Sequence, residues 1–516
     1  MNTVRQSSPL PSLAELLSDC PEMQGLLDDS VAGITVSGLN MDSRQLKAGE
    51  VFVALFGKNH DARDYIDVAI SKGCVAVLAD AGGDWHGLRM TGKVPVLAID
   101  NLRRRIGELA ARFYNYPSRR LPVIGVTGTN GKTSCTQFIA QILAGLDKTC
   151  GVIGTMGYGV FPQLCDTGFT TPDAIVLQQA LSDVVRNNAK VVAMEVSSQG
   201  LHQHRVSGTV FNSAVFTNLT RDHLDYHGSM AAYAEAKRKL FEHEDLRVAV
   251  INADDSYAAT MLNALPRSAQ SFTYSLHSKR ADVFAEELTF TADGFQAIIN
   301  SPWGIASVTG HLLGAFNFSN ILAALTAVMT LPEEMDFQSV VGQIASLRPV
   351  NGRMELIGNV DGVSAVVDYA HTPDGLRCAL EAARQHTRGQ IWCVFGCGGN
   401  RDQGKRPLMA EVADQLADQI IVTDDNPRNE NADDIVRQIM FGFSDKSRVA
   451  VERDRARAIE SAIRSAKAGD LVLIAGKGHE CYQDVAGQKM AFSDAAQVRL
   501  ALQDRAAEAV KGGGVQ

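Results

Sequence analysis

Short apolar runs punctuate the chain, and between them apolar residues return at helical spacing. Such runs, bounded by turn residues, predict buried strands, and the intervening stretches predict helices. Strand-like runs at 51–55, 75–78 and 94–99, with helical patterns near 65–71 and 102–114, predict a small α/β domain. The segment 115–120 interrupts the periodicity with Pro117 and polar neighbours and reads as a linker. Beyond it, runs at 121–126, 191–196 and 214–219 alternate with helical stretches, the first of these at 134–145. The pattern breaks again around 347–353, and a third series follows at 365–368, 391–395, 419–423 and 471–475. Strands alternating with helices predict parallel, helix-covered sheets, whose ligands bind at the carboxyl ends of the strands. The expected organisation is therefore α/β with three domains, 1–100, 101–350 and 351–516, the central one built on a mainly parallel sheet.

Composition narrows the classes. In 516 residues, 49 Lys and Arg stand against 58 Asp and Glu, a formal net charge of −9, so no global basic field holds nucleic acid or an anionic membrane. Any anionic ligand must be held locally. With 45% hydrophobic and 21% charged residues the chain is globular. The first 20 residues lack the uninterrupted apolar core of a secretory signal, and no run reaches the length of a membrane span, so a cytoplasmic protein without membrane insertion is expected. Nine scattered cysteines signal neither a disulfide framework nor a zinc site and are expected to be buried thiols.

The strongest local signal is Gly128-Thr129-Asn130-Gly131-Lys132-Thr133, followed by Ser134, between a predicted strand and a predicted helix. Glycines let backbone N–H groups approach phosphates, Lys132 supplies a cation, and the Thr133 hydroxyl suits Mg²⁺. The longer P-loop spacing would need glycine at Val126, so this is a shorter form. Two further strand ends carry polar groups. Glu195 closes the run at 191–196, while Asp222, His223 and Asp225 follow the run at 214–219. If these ends lie side by side, Lys132, Thr133, Glu195 and His223 converge on one metal–phosphate crevice. Taken alone, a histidine such as His223 is more often an ordinary loop or core residue than a ligand.

On the helical wheel of 230–241, Tyr233, Leu240 and Phe241 define an apolar face that includes Lys237, whereas Lys239 points away. A buried ammonium is costly, so Lys237 must snorkel, pair with an acid or be chemically altered.

These residues, together with Glu195-Val-Ser-Ser198, Gly314-x-x-Asn317-x-x-Asn320, Gly352-Arg353-Met-Glu355 and Asp368-Tyr-Ala-His371, resemble the Mur ligases, the ATP-dependent amino-acid-adding enzymes of peptidoglycan precursor synthesis. The likeness covers nearly the whole chain. It implies a P-loop-type central ATPase domain and a Rossmann-like C-terminal domain. Asp425-Asn426-Pro427-Arg428 resembles the signature of the family member that adds meso-diaminopimelate to UDP-N-acetylmuramoyl-L-alanyl-D-glutamate. By the same resemblance Lys237 carries a CO₂-derived carbamate. Thr133 and Glu195 hold one Mg²⁺, and His223 with carbamylated Lys237 helps hold a second. Asn317, Arg353, Asp368 and His371 join residues 128–134 around ATP.

The implied reaction phosphorylates the D-glutamyl γ-carboxylate, and an incoming amine then displaces phosphate from the acyl phosphate. Lys132 and Arg353 would offset the repulsion of two anions. Arg401, Asp425, Asn426, Pro427, Arg428, Gly476 and Glu480 would line the amino-acid pocket, Arg428 binding the distal carboxylate and Glu480 taking an ammonium. Ser43, Lys58, Asn59, His60, Thr170, Thr171, Ser197, Gln203 and Arg205 match the sugar-nucleotide positions, with Phe169 replacing the small or amide residue usual before the paired threonines. Partners are therefore small molecules, and a monomer is expected. A lysine-adding or folylpolyglutamate-synthetase-like ligase, or a nucleotide-gated binding protein, are the rival readings. A mere switch would not need Arg401, Arg428 and Glu480 in a third domain.

Overall fold

The computed structural model describes residues 10–20, 23, 25–57, 60–165, 168–291 and 293–512. Lys58 and Asn59 lie outside the described residues. The chain divides into two compact units, 1–125 with 149–212, and 126–148 with 213–516.

In the first unit, strands Gly38–Asn40, Glu50–Ala54, Ala76–Asp80 and Val94–Ile99 run parallel in that order, and Leu88–Thr91 closes the edge antiparallel. Period-two alternation assigns the faces. Val51, Val53, Leu78 and Leu97 meet helix Leu102–Phe113, while Phe52, Ala54, Val77 and Val96 pack over Ile66 and Ala69 of helix Ile66–Ser71. The segment read as a linker is a packed turn. Pro117 and Ser118 are buried in the short 3₁₀ helix Pro117–Arg119, and the Ser118 hydroxyl accepts the Val210 N–H. A second group of strands pairs Val191–Glu195 with Cys150–Gly154 in parallel, and the latter with Gly157–Val160 antiparallel.

The second unit holds two layered systems. Strands Ser213–Phe216, Val248–Asn252, Gln270–Ser275 and Val283–Thr291 are parallel neighbours, and two antiparallel strands, Gly294–Ser301 and Gly304–Gly310, extend them. Helix Lys132–Gly145 lies against helix Ala315–Met329, whose burial is almost complete. Each large apolar side chain buried there, such as Phe318, contributes roughly 1.5–3 kcal/mol.

The other sheet runs in the order Glu355–Val360, Val363–Asp368, Leu471–Ala475, Ile391–Phe395, Gln419–Val422 and Val449–Val451, parallel except for the first strand. Both faces are covered. Leu471 and Leu473 face helices Pro373–His386 and Lys405–Leu416, whereas Val472 and Ile474 face Arg455–Ser465 and the C-terminal helix Asp494–Gly512. The apolar runs at 94–99, 391–395 and 471–475 match their strands residue for residue. The thiol expectation needs correction. Six cysteines are buried, but Cys165 and Cys481 are exposed and Cys378 is half-buried, because they sit in an edge strand, a loop and a cavity wall.

Candidate functional site

The glycine-rich loop 128–131 follows strand Val123–Thr127 and ends on helix Lys132–Gly145. Gly128 has φ +155°, and a Cβ there would stand 1.8 Å from Thr217 Oγ1; Gly131 at φ +85° would drive one to 2.5 Å from Asn320 Oδ1. Glycine is the residue that fits both close approaches. The loop is fastened to the next strand end. Asn218 Oδ1 accepts Asn130 N–H at 2.9 Å, Thr217 Oγ1 donates to Asn130 O at 2.6 Å, and Thr129 Oγ1 accepts Thr220 N–H at 3.0 Å. Lys132 Nζ donates to Gly128 O and Thr129 O, both at 2.9 Å, holding its cation over the loop.

Lys237 is inward, as its helix phase requires, with 1% exposure. Its Nζ donates to Gly128 O at 2.7 Å and lies 4.7 Å from the Tyr233 ring centroid. Burial, and then the Lys132 ammonium, lower its pKa well below the usual lysine range, against the opposing pull of Asp222. Nearby, His223 Nε2 lies 3.5 Å and His371 Nε2 4.0 Å from Asp222 Oδ2. Burial lowers His223 below the usual imidazole value, with Asp222 opposing.

A cavity of about 350 Å³ opens beside the loop, lined by Asn130, Gly131, Ser134, Arg353 and Asp368 among others. Asp368 Oδ2 accepts Met354 N–H and Oδ1 accepts Ala370 N–H. Burial pushes its carboxyl up to about 6, with Arg353 opposing. Arg353 lies 4.4 Å over the Tyr369 ring, and its Nε has no hydrogen-bond partner among the described residues. Buried Asn317 likewise has an unpartnered Oδ1. Orphaned buried polar atoms beside a cavity suit a polar ligand. Asn317 and His371 do not themselves line the cavity.

The third group lies at the carboxyl ends of strands Gln419–Val422 and Leu471–Ala475. Arg428 takes φ +52° and donates from Nη1 to Gly399 O at 2.7 Å. A Cβ on Gly398 would stand 2.8 Å from Arg428 Nη1 and 3.8 Å from Arg401 Cγ, so both guanidinium chains flank that glycine. Buried Arg406 pairs with Glu430 through both Nη atoms and also donates to Gly398 O, joining the two loops. Asn426 Nδ2 donates to Glu480 Oε2 at 2.7 Å. A Cβ on Gly476, φ +118°, would stand 2.6 Å from Asp425 Oδ2.

In the first unit, buried Glu195 accepts Thr155 N–H at 2.8 Å on Oε1 and the Thr155 hydroxyl at 3.2 Å on Oε2. Thr171 Oγ1 donates to Glu195 O and accepts Ser197 N–H, and Thr170 Oγ1 lies 3.0 Å from Thr155 Oγ1. Arg205 donates to Gln203 Oε1 and Thr171 O. A cavity of about 190 Å³ is lined by Gln203 and Arg205, with Met41, Arg103 and Phe169. Phe169 is 59% exposed, and Arg205 Cζ lies 6.0 Å over its ring. Ser43 is buried and His60 exposed, and neither lines this cavity.

Three family models match this chain: the Mur ligase family catalytic domain over residues 35–114, the Mur ligase middle domain over 126–328, and the Mur ligase glutamate ligase domain over 352–478. The chain belongs to the Mur ligase family. Among its curated relatives, the UDP-N-acetylmuramoyl-L-alanyl-D-glutamate--2,6-diaminopimelate ligases of Coxiella burnetii and Alkalilimnicola ehrlichii are 45% and 46% identical. Those matches cover 91% and 90% of this chain and 96% and 95% of the relatives. A solved structure of a UDP-N-acetylmuramoyl-L-alanyl-D-glutamate--2,6-diaminopimelate ligase shares 37% identity at a TM-score of 0.68, over 94% of this chain and 99% of that one.

In this Mur ligase part of the lining of the cavity beside the glycine-rich loop was not legible in the sequence. Asn218 closes the strand end next to the loop, and the rule that singled out Glu195 as a polar group ending a strand would have found it. Asp254 and His277 also line the cavity, and no local pattern marks them, whereas Tyr369 lines it from within the Asp368-Tyr-Ala-His371 motif. In the smaller cavity, Met41 and Arg103 were equally silent. No helix among the described residues is long and apolar enough to cross a membrane.

Proposed function

We propose that this ATP-dependent Mur ligase adds meso-diaminopimelate to the D-glutamyl γ-carboxylate of UDP-N-acetylmuramoyl-L-alanyl-D-glutamate, through an acyl phosphate. The observation that carries the reading is the amino-acid end of the second unit. Arg428, Arg401, Asn426 and Glu480 gather at neighbouring loops, offering cations for carboxylates and an anion for an ammonium. Diaminopimelate differs from lysine by one distal carboxylate, and an arginine left without that partner penalises lysine. The identity to diaminopimelate ligases supports the same substrate.

In this reading residues 128–134 cradle the triphosphate on backbone N–H groups at a helix N-terminus, and Lys132 turns its ammonium from the loop carbonyls to phosphate. Arg353 donates from its unpartnered Nε side to the transferring phosphoryl group, and Asp368 accepts from ribose hydroxyls. Lys132 and Arg353 lower the cost of bringing carboxylate and triphosphate together, and Asp368 holds the nucleotide in place.

The described residues contain no cluster of three or more His, Cys, Asp or Glu side chains able to hold a metal. Mg²⁺ is commonly held by one or two carboxylates together with substrate phosphates rather than by a protein cage. Within the second unit, Thr133, His223 and Lys237 as its carbamate would hold it; when bound it neutralises charge on the phosphates and acyl oxygens. Lys237 suits carbamylation because its buried nitrogen is disfavoured as an ammonium. The neutral amine adds CO₂, forming the N–C bond and releasing one proton.

The test incubates the protein with ATP, Mg²⁺ and the UDP-muramoyl dipeptide, adds diaminopimelate or lysine, and weighs the products. Diaminopimelate is expected to be added and lysine poorly; equal use of lysine refutes the Arg428 argument, and ADP release without any amino acid favours a nucleotide switch. Arg428→Ala is expected to lower kcat/KM for diaminopimelate by roughly 10- to 150-fold, matching about 1.5–3 kcal/mol for a charged hydrogen bond, with ATP affinity unmoved. A parallel loss of ATP affinity contradicts its place.

Asp368 gives a pH prediction. Its carboxyl, raised to about 6 by burial, is a charged acceptor on both oxygens only above that value. Nucleotide affinity is expected to weaken as pH falls through about 6, and Asp368→Asn to flatten that limb, as titration calorimetry at several pH values would read. An unchanged profile in the variant contradicts the assignment.

A further inference from the structure

Lys477 is fully buried between Gly476 and Gly478, in the turn after strand Leu471–Ala475. A buried ammonium is stable only where its charge and its N–H groups are met. Its Nζ donates to Glu480 Oε2 at 2.8 Å and to Asn426 Oδ1 at 3.0 Å, and lies 5.6 Å from the Tyr482 ring centroid. Asn426 Oδ1 also accepts the Asp484 N–H at 2.9 Å. With two donors on that oxygen, only one orientation of the amide satisfies the cluster, and it turns Nδ2 onto Glu480 Oε2 at 2.7 Å. Glu480 Oε2 is thereby filled by two donors, while among the described residues Oε1 receives no hydrogen bond.

We propose that Lys477 is the positioning residue of the amino-acid pocket: its ammonium fixes the Asn426 amide and the Glu480 carboxylate so that a single oxygen, Glu480 Oε1, is presented to the ammonium of the incoming amino acid. The inference rests on the reading of that pocket given above and adds to it. A free carboxylate would offer two equivalent oxygens and rotate between them. Lys477 occupies one and offsets the negative charge that the pocket presents, so the substrate's ammonium meets a weaker but oriented acceptor. The outer side of the same loop is braced by hairpin strands Tyr482–Val485 and Gln488–Ala491, where Gln483 Nε2 donates to Asp425 O and Asp484 O accepts the Arg428 N–H. The ammonium is thus the inner fastening of a loop whose outer edge is already held by the hairpin.

Steady-state kinetics on the full chain test this with Lys477→Met, which keeps length and removes charge. KM for diaminopimelate is expected to rise roughly 10-fold or more, the scale of losing one oriented charge-assisted contact, while KM for ATP and for the UDP-muramoyl dipeptide stay within about twofold. Glu480→Gln is expected to cost much less in the Lys477→Met background than in the parent, because the two act as one unit. If Lys477→Met does not fold, the same split is read on Lys477→Gln, which retains an N–H donor. An unmoved diaminopimelate KM, equal losses for all three substrates, or multiplicative costs in the double variant overturn the proposal. A parent protein that does not use diaminopimelate overturns the functional reading beneath it, whereas normal use by the parent and by Lys477→Met overturns this inference alone.

Discussion

Lys237→Ala is expected to reduce ligation by roughly two to three orders of magnitude, the scale on which one preorganised electrostatic group acts on a developing charge. The side chain is 1% exposed, rests on Gly128 O and the Tyr233 ring, and shares its surroundings with the Lys132 ammonium. Two cations beside a phosphate loop repel each other. Conversion of one to a carbamate would reverse that sign and supply an oxygen anion beside the Lys132 ammonium. The proposed role therefore predicts a particular rescue: acetate or propionate should restore part of the activity of Lys237→Ala and leave the parent unaffected. Truncation also opens a cavity beside Tyr233, so thermal unfolding must be recorded alongside. A folded, fully active Lys237→Ala protein would refute the carbamate, as would a folded, inactive one that no short carboxylic acid restores.

Asp494→Ala carries the largest expected loss of stability, about 3–5 kcal/mol, because it strands a buried arginine. Arg455 and Asp494 are both fully buried, and Arg455 Nε and Nη2 meet Asp494 Oδ1 and Oδ2 at 2.7 Å each. Nη2 also donates to Ala475 O at 2.9 Å, and Nη1 reaches Asp424 O at 3.4 Å. The pair therefore ties the first residue of the C-terminal helix to the strand ends that precede Asp425 and Gly476. Losing one partner leaves an uncompensated charge in a core, whereas Arg455→Met with Asp494→Leu removes both charges and is expected to be much milder. Urea unfolding of the single and double variants decides it. Equal destabilisation by both would mean that packing, rather than the charge pair, carries the effect. A loss on this scale is a large part of the 5–15 kcal/mol that usually separates folded from unfolded states.

Many of the buried strands and the glycine-rich loop were legible along the chain, because both are local. A buried parallel strand needs an unbroken apolar run, and residues 391–395 and 471–475 supply one. A loop that approaches phosphates needs glycines followed by Lys132 and Thr133. The phase of one helix was enough to turn Lys237 inward and raise the question of its charge. The antiparallel strands Gly294–Ser301 and Gly304–Gly310 escaped the pattern because mixed polar and apolar residues replace an unbroken apolar run. The partners were decided only by the tertiary structure. Asn218 fastens the phosphate loop from about ninety residues away, and Lys477, hidden in a glycine turn, divides Glu480 between itself and Asn426. Hydrogen bonds and charges act across a few ångströms of space whatever the separation along the chain, so which oxygen remains open for a substrate is settled by packing and cannot be read from spacing.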